Sequence, residues 1–352
     1  MAQPCGTGEA MIGSQPRILL APASGPGVGG GHAMRSLALA QALAARGAAC
    51  AFICGPEGAE IVERYGDGAF AVVAGPLSRA GGAFDALVID DYQMSAAQET
   101  RLRAGFPVIM VIDDLADRAH NCDLLLDPGY GRARADYAGL IPAGAQTLLG
   151  PGYALLREPF ATLRAGALTR SRPDRIDRLF INFGLSDVDA VAARAYGALR
   201  SALAGAAVDL VVASDAVSLR RLRDWARTDA NLALHIDCQT VGELMAKADA
   251  AIGAGGASTW ERTCLALPTL AVIVADNQRP MIQRLTADGV LLSVDLAAED
   301  FEPRLARAYE RLCDRAVRTR ISDLASTLCD GQGARRAADA LLQRLAVSRQ
   351  GS

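Results

Sequence analysis

The chain has 352 residues, 51% of them hydrophobic and 21% charged, enough for two ordinary domains with sizeable cores. With 36 basic against 39 acidic residues the formal net charge is −3, so no broad positive field recommends nucleic acid or an anionic membrane as partner. No run approaches the ~18 to 20 apolar residues of a membrane span, and eight cysteines without a Cys-x-x-Cys pair argue against a metal ribbon or thioredoxin-type motif.

The first fifteen residues carry neither lysine nor arginine nor a long apolar core. A loose leader rather than a signal peptide is expected there, and with it a cytoplasmic location. The apolar run 17–21 predicts a first strand, and the alanine- and leucine-rich segment up to Arg46, stopped by Gly47, predicts a helix. Between them lies Gly25-Pro26-Gly27-Val28-Gly29-Gly30-Gly31-His32, which places one of only three histidines at a helix start. Glycines there allow close backbone approach to a ligand, and the unpaired N–H groups of the first turn favour a phosphate or a developing oxyanion. An imidazole in such a loop can accept a proton near neutral pH or simply be a solvated histidine.

Short apolar runs at 48–54, 69–74, 86–90, 108–113 and 122–127 then alternate with helical segments, the pattern of buried parallel strands. The arginine-rich stretch 165–177 breaks the rhythm and is taken as a linker. A second series follows at 179–183, 208–213, 232–236, 248–252 and 270–274. Two doubly wound α/β domains are expected, 1–164 and 178–352, with ligand loops at the carboxyl ends of the strands and a helical tail after Glu302. The second domain repeats the opening device in Gly253-Ala254-Gly255-Gly256-Ala257-Ser258, so a ligand between the domains is expected.

Gly25-x-Gly27-x-x-Gly30 satisfies the dinucleotide fingerprint, but the second strand ends in Cys54-Gly55-Pro56 where a dehydrogenase would place an acid. Ser258-Thr259-Trp260-Glu261 fits two readings equally: a helix capping box, or a diphosphate held by Ser258 or Thr259 with Glu261 on the ribose hydroxyls. Asp90-Asp91 and Asp113-Asp114 each end a strand, where carboxylates cap turns; neighbouring residues on a strand point to opposite faces, so neither pair is a ready-made metal site. Tyr92 would stand at the mouth of the cleft, where its hydroxyl could donate to a sugar or phosphate oxygen or its ring could simply pack. Asn277 and Gln278 are amides at the same edge, suited to an acetamido group or to a turn. His120 and His235 read as surface histidines.

The motifs together resemble a known family, the UDP-sugar hydrolases of pseudaminic acid biosynthesis. The similarity runs from about 17 to 295 and is carried by G-G-G-H-A-M-R at 29–35, L-V-I-D-D-Y at 87–92, V-I-D-D-L-A-D-R-A-H-N-C-D-L-L-L-D at 111–127 and L-G-P-G-Y-A-L-L-R at 149–157. F-I-N-F-G-L-S-D at 180–187, A-G-G-A-S-T-W-E at 254–261 and D-N-Q at 276–278 complete it. Leu185 departs from the family, which has a second glycine before Ser186-Asp187. The resemblance implies the GT-B architecture and hydrolysis of UDP-2,4-diacetamido-2,4,6-trideoxy-β-L-altropyranose at the anomeric carbon, feeding a nonulosonic acid used on flagellin or surface polysaccharide. It implies His32 as base, Tyr92 and Asn277 near the sugar, and Glu261 on the ribose. Gly30, Gly31, Arg35, Gly184, Gly255, Gly256, Ser258, Thr259 and Gln278 complete the expected substrate and UDP contacts. No metal, other cofactor or macromolecular partner is expected, and the chain is expected to be a monomer. The rival readings are a GT-B glycosyltransferase using a UDP-activated amino sugar, and a nucleotide-sugar-binding protein without turnover.

Overall fold

The computed structural model describes residues 15–350 except 26, 27, 29, 171, 172, 186 and 204. Gly27 and Gly29 of the first glycine loop, Ser186 and the expected leader up to residue 14 therefore lie outside the described residues. The first half runs β1 (Arg17–Pro22), α1 (Gly31–Ala44), β2 (Ala49–Phe52), α2 (Pro56–Tyr65), β3 (Ala71–Val72), β4 (Ala86–Asp90) and α3 (Ala96–Leu102). It continues with β5 (Val108–Ile112), β6 (Leu124–Asp127), β7 (Gln146–Leu149) and α4 (Glu158–Thr169). The second half runs β8 (Arg178–Asn182), α5 (Val191–Leu199), β9 (Ala207–Val212), α6 (Leu219–Thr228), β10 (Leu232–Ile236) and α7 (Val241–Lys247). After these come β11 (Ala250–Ala254), α8 (Ser258–Cys264), β12 (Thr269–Ile273), α9 (Arg279–Ala287) and β13 (Leu292–Asp295). Three helices close the chain: α10 (Phe301–Cys313), α11 (Arg315–Ser326) and α12 (Gly333–Gln350).

Local chemistry explains many boundaries. Gly47, at φ +84°, follows α1 where an L side chain would be strained. Pro56 starts α2, where its missing N–H costs nothing. Ser95 and Gln98 close a reciprocal capping box on α3. The apolar runs 18–20, 86–89 and 108–112 are fully buried, as strands covered on both faces require. The sequence missed β7 and β13, short edge strands whose alternating burial leaves too few apolar residues to stand out.

All strands are parallel and form two sheets, β3-β2-β1-β4-β5-β6-β7 and β10-β9-β8-β11-β12-β13. In each sheet the strand order reverses at one point, between β1 and β4 in the first and between β8 and β11 in the second. Connections leave the sheet in opposite directions there, which opens a crevice at the carboxyl ends of the strands. Both glycine loops, after β1 and after β11, start from these crevices.

Packing divides the chain differently from the expected 1–164, linker 165–177 and 178–352. Residues 165–169 are the last turns of α4, and α4 packs through Phe160, Leu163 and Ala167 against α7 and α8 of the second sheet. The crossing from the first unit therefore precedes α4. The tail then returns: α12 buries Ala334, Ala337, Ala338, Leu341 and Leu345 in the first domain's core against α1. Arg46–Asp339 (2.5 Å) and Arg344–Asp123 (3.0 Å) flank the contact. The contact is hydrophobic: the alanine-rich stripe of α12, with Leu341 and Leu345, joins the apolar cluster that holds the buried residues of α1. Among the described residues no helix is long and apolar enough to cross a membrane.

Leu341 is wholly buried although it is remote in sequence from the domain it packs on. Leu341→Ala should lower stability by about 3 kcal/mol, as cavity-forming core truncations do. Urea unfolding of the full chain checks this.

Candidate functional site

The first cluster grows from α1 and the carboxyl ends of β4 and β5. Gly30 is the N-cap of α1 and no side chain caps the helix, so His32 stands in its first turn with the side chain 12% exposed. Asp90, the last residue of β4, is fully buried beside it. His32 Nδ1 lies 2.6 Å from Asp90 Oδ1. An ionised carboxylate only accepts, so Nδ1 carries the proton and Nε2 keeps its lone pair. Among the described residues Nε2 has no hydrogen-bond partner.

Arg35 grips the same carboxylate, donating from Nε to Asp90 Oδ2 (2.6 Å) and from Nη2 to Oδ1 (2.5 Å), and from Nη1 to Asp114 Oδ2 (2.9 Å). Burial would raise the Asp90 carboxyl, but Arg35 and His32 outweigh it and hold it at about 2. Tyr92 donates its hydroxyl to Asp114 Oδ1 (2.5 Å) and sets its ring edge-on to His32, centroids 4.7 Å apart. Burial, then Asp114, push the Tyr92 phenol up, so it stays protonated.

Two expectations are corrected here. Arg35 is 9% exposed and committed to two carboxylates, so it organises the pocket instead of meeting a diphosphate. The Tyr92 proton is taken by Asp114, which leaves only the ring and the hydroxyl oxygen for a ligand. The acidic pairs are also more than turn caps. Asp91 does cap a turn, accepting from Gln93 N (2.8 Å), but Asp90 and Asp114 are the scaffold of the cluster.

A second polar layer supports the first from within. Tyr137 bridges Asp113 (2.9 Å) and Asp127 (2.8 Å) through one hydroxyl. One proton cannot serve two carboxylates, and burial pushes Asp127 up to about 6, so that carboxyl holds its own proton in mild acid. Arg132 bonds Asp127 and, through Nη2, the Asp114 carbonyl (2.8 Å). His120 is no surface histidine: it is buried against Glu99 (2.8 Å). His235, half-buried, bonds Asp209 (2.9 Å).

The second cluster is the loop after β11. A Cβ on Gly255 would lie 2.6 Å from Ile282, so only glycine lets the chain pass α9 at that point. Gln278 lines the same loop beside Gly256 and accepts from Val274 N (3.2 Å), whereas Asn277 is exposed and bonds no described residue. The capping-box reading fails, because α8 starts at Ser258 with Ala257 as N-cap and no side-chain cap. Glu261 is thereby left uncommitted and half-buried; burial raises its carboxyl while Arg157 and Arg262 pull it back. Thr259 is 1% exposed, with its hydroxyl held by Arg262, and is corrected from ligand contact to core residue. The amides of Gly256, Ala257 and Ser258 have no acceptor among the described residues. Gly184, at φ +91°, turns the chain after β8 at the same edge.

The two clusters face each other. A Cβ on Gly31 would lie 4.0 Å from that of Ala257, so the glycine loops of the two domains meet across the cleft. Leu185 reaches from the second domain onto Gly30 and the first domain's apolar cluster, and a side chain at Gly30 would collide with it at 2.5 Å. Arg157 enters from the crossing segment, its Cζ 5.8 Å from the Tyr65 ring and 6.0 Å from Phe160. Sequence reasoning missed Asp90, Asp114, Arg157 and Arg262. The signal that could have found the two aspartates is their place at the carboxyl ends of strands adjoining the crevice.

No protein-family model matches the chain. Among curated proteins it is similar to the UDP-2,4-diacetamido-2,4,6-trideoxy-beta-L-altropyranose hydrolase of Campylobacter jejuni subsp. jejuni serotype O:2, 25% identical over 208 residues, 58% of this chain and 72% of that one. Its fold is similar to that of Acinetobacter baumannii MurG, with TM-score 0.64 and 13% identity over 94% of this chain and 99% of the other. The S. aureus MnaA structure with UDP gives TM-score 0.64 and 11% identity over 94% and 97% of the two chains. A putative UDP-N-acetylglucosamine 2-epimerase from Listeria monocytogenes gives 0.62 and 11% over 95% and 97%. At such identities the solved structures establish fold alone: the chain has the α/β GT-B architecture, two Rossmann-like domains facing a cleft.

Proposed function

We propose that the protein hydrolyses UDP-2,4-diacetamido-2,4,6-trideoxy-β-L-altropyranose, or a close diacetamido relative, to UDP and the free sugar, a step toward pseudaminic acid. The observation that carries this reading is the His32–Asp90 pair, a base with a fixed tautomer at a glycine loop that faces a second glycine loop. The curated relative named for this hydrolysis supports the choice of substrate.

In this mechanism a water molecule between His32 Nε2 and the anomeric carbon attacks C1. Its proton passes to Nε2, its oxygen bonds C1, and the C1–O bond breaks with the electron pair leaving on UDP. Asp90 faces the positive charge that the ring acquires. The charge growing on UDP is met by the amides of Gly256, Ala257 and Ser258 and by the Ser258 hydroxyl, donors already in place before reaction. Glu261 accepts from the ribose hydroxyls, and Asn277 and Gln278 offer amides to the sugar.

Turnover in isotopically labelled water should place the label on the sugar and survive EDTA; label in UDP would refute attack at carbon, and a glycoside of an added alcohol would indicate a transferase. His32→Ala should lower kcat by about a hundredfold or more, with UDP affinity unchanged, because base and nucleotide are assigned to different domains. Glu261→Ala should weaken UDP binding by about tenfold or more in calorimetry, the effect of losing a charged hydrogen-bond partner.

Asp90→Asn should reduce kcat more than it changes UDP affinity, since the amide can impose the wrong tautomer on His32. The carboxyl sits at about 2 in the folded protein against ~3.9 in an unfolded chain. Its contribution, about 2 to 3 kcal/mol, is complete above pH ~5 and is lost progressively as pH falls through about 2. That loss, read from urea unfolding at several pH values, should disappear in Asp90→Asn.

A further inference from the structure

Arg262 is fully buried in α8, directly beneath the loop that follows β11. Nη2 donates to the Ala254 carbonyl (2.6 Å) and Thr259 Oγ1 (3.2 Å), and Nη1 donates to Ser258 Oγ (3.1 Å). Its Nε has no partner. Among the described residues no carboxylate lies within ion-pair distance of this guanidinium. A Cβ on Gly253, the residue of β11 before Ala254, would stand 2.6 Å from Nη1 and closer still to the Asn182 carbonyl, so glycine there makes room for both.

The other buried arginines show how unusual this is. Arg35 is neutralised by Asp90 and Asp114. Arg318 has no carboxylate either, but it donates to the carbonyls of Leu312, Cys313, Pro173 and Asp174, two of them at the negative end of α10. Arg262 bonds one carbonyl and two hydroxyls, its nearest acidic influence is Glu261, which forms no ion pair with it, and the free amides of Gly256, Ala257 and Ser258 above it add to the positive potential. A buried charge with so little compensation is costly unless an anion completes the site.

We propose that Arg262 is the buried counter-charge for the ligand's diphosphate and the residue that aims the Ser258 hydroxyl at it. Ser258 Oγ accepts from Nη1, so its single proton points away from Arg262 and toward the cleft, where it donates to a phosphate oxygen. The charge acts through a low-dielectric layer without touching the ligand, which makes Arg262 a positioning residue. The inference rests on the nucleotide reading above for the identity of the anion.

Calorimetry with UDP, uridine and inorganic pyrophosphate on the full-length protein tests it. Arg262→Met should weaken UDP and pyrophosphate by about tenfold or more while uridine changes less than about threefold, and Arg262→Lys should restore part of the loss. Ser258→Ala should weaken UDP severalfold, and combined with Arg262→Met it should cost less than the two separate losses together. Equal losses for UDP and uridine in Arg262→Met, with circular dichroism unchanged, would make Arg262 a structural brace and overturn the proposal, as would undiminished UDP binding. If Arg262→Met does not fold, Ser258→Ala with full UDP affinity overturns the aimed hydroxyl, and Arg262→Gln, which removes the charge and keeps a hydrogen-bond donor, overturns the counter-charge if it binds UDP and pyrophosphate with full affinity. Wild-type protein that binds pyrophosphate through Arg262 but not UDP would refute the nucleotide reading and leave the anion site standing.

Discussion

Asp90 is a carboxylate buried at the point where the first sheet changes winding direction, and most of the candidate site depends on it. It lies 55 residues from Arg35 and 58 from His32, yet both side chains converge on its two oxygens. A carboxylate in that place would be expensive alone. Paired with a guanidinium and an imidazole N–H it becomes a fixed post: it sets the tautomer of His32, anchors α1 to β4, and draws Arg35 into contact with Asp114, which in turn holds Tyr92. Losing one member leaves the others buried and unpaired, so the cluster behaves as one unit.

The two domains solve opposite electrostatic problems. In the first, the acidic ends of β4, β5 and β6 are held by Arg35, Arg118, Arg132 and the Tyr137 hydroxyl, while His32 Nε2 at the edge of this lattice has no partner among the described residues. In the second, the loop after β11 gathers free amides over a buried arginine that has no carboxylate at bonding distance among the described residues. An imidazole with a free Nε2 and a loop of free amides, set face to face across one cleft, are the geometry on which the proposed hydrolysis rests.

The chain crosses between domains twice, before α4 and before α12, and each crossing helix packs on the domain opposite to the one its position in sequence suggests. The cleft is thus bounded by two covalent connections as well as by the close approach of Leu185 to Gly30. Arg157 lies on one of these crossings, between Tyr65 of the first domain and Phe160 on α4, with its charge felt by Glu261. It links the geometry of the crossing to the second cluster.

Much of this was legible in the sequence. The apolar runs with glycine and proline punctuation predicted the paired α/β domains, the glycine loops predicted where strands hand over to helices, and His32 was placed correctly in the first turn of α1, because strand periodicity, turn chemistry and helix starts are local properties. The sequence could not show that Arg35 turns inward to Asp90, that the Tyr92 proton belongs to Asp114, that Thr259 faces the core, or that α12 returns to the first domain. The contacts of Arg35, Tyr92 and α12 join residues 22 to 293 positions apart and depend on strand order, and the burial of Thr259 depends on which face of α8 meets the core; a single chain of letters does not carry those neighbours. The same limit explains why Asp90 and Asp114 read as turn caps and Arg262 went unnoticed: a buried charge is recognised by its surroundings, and only the tertiary structure supplies them.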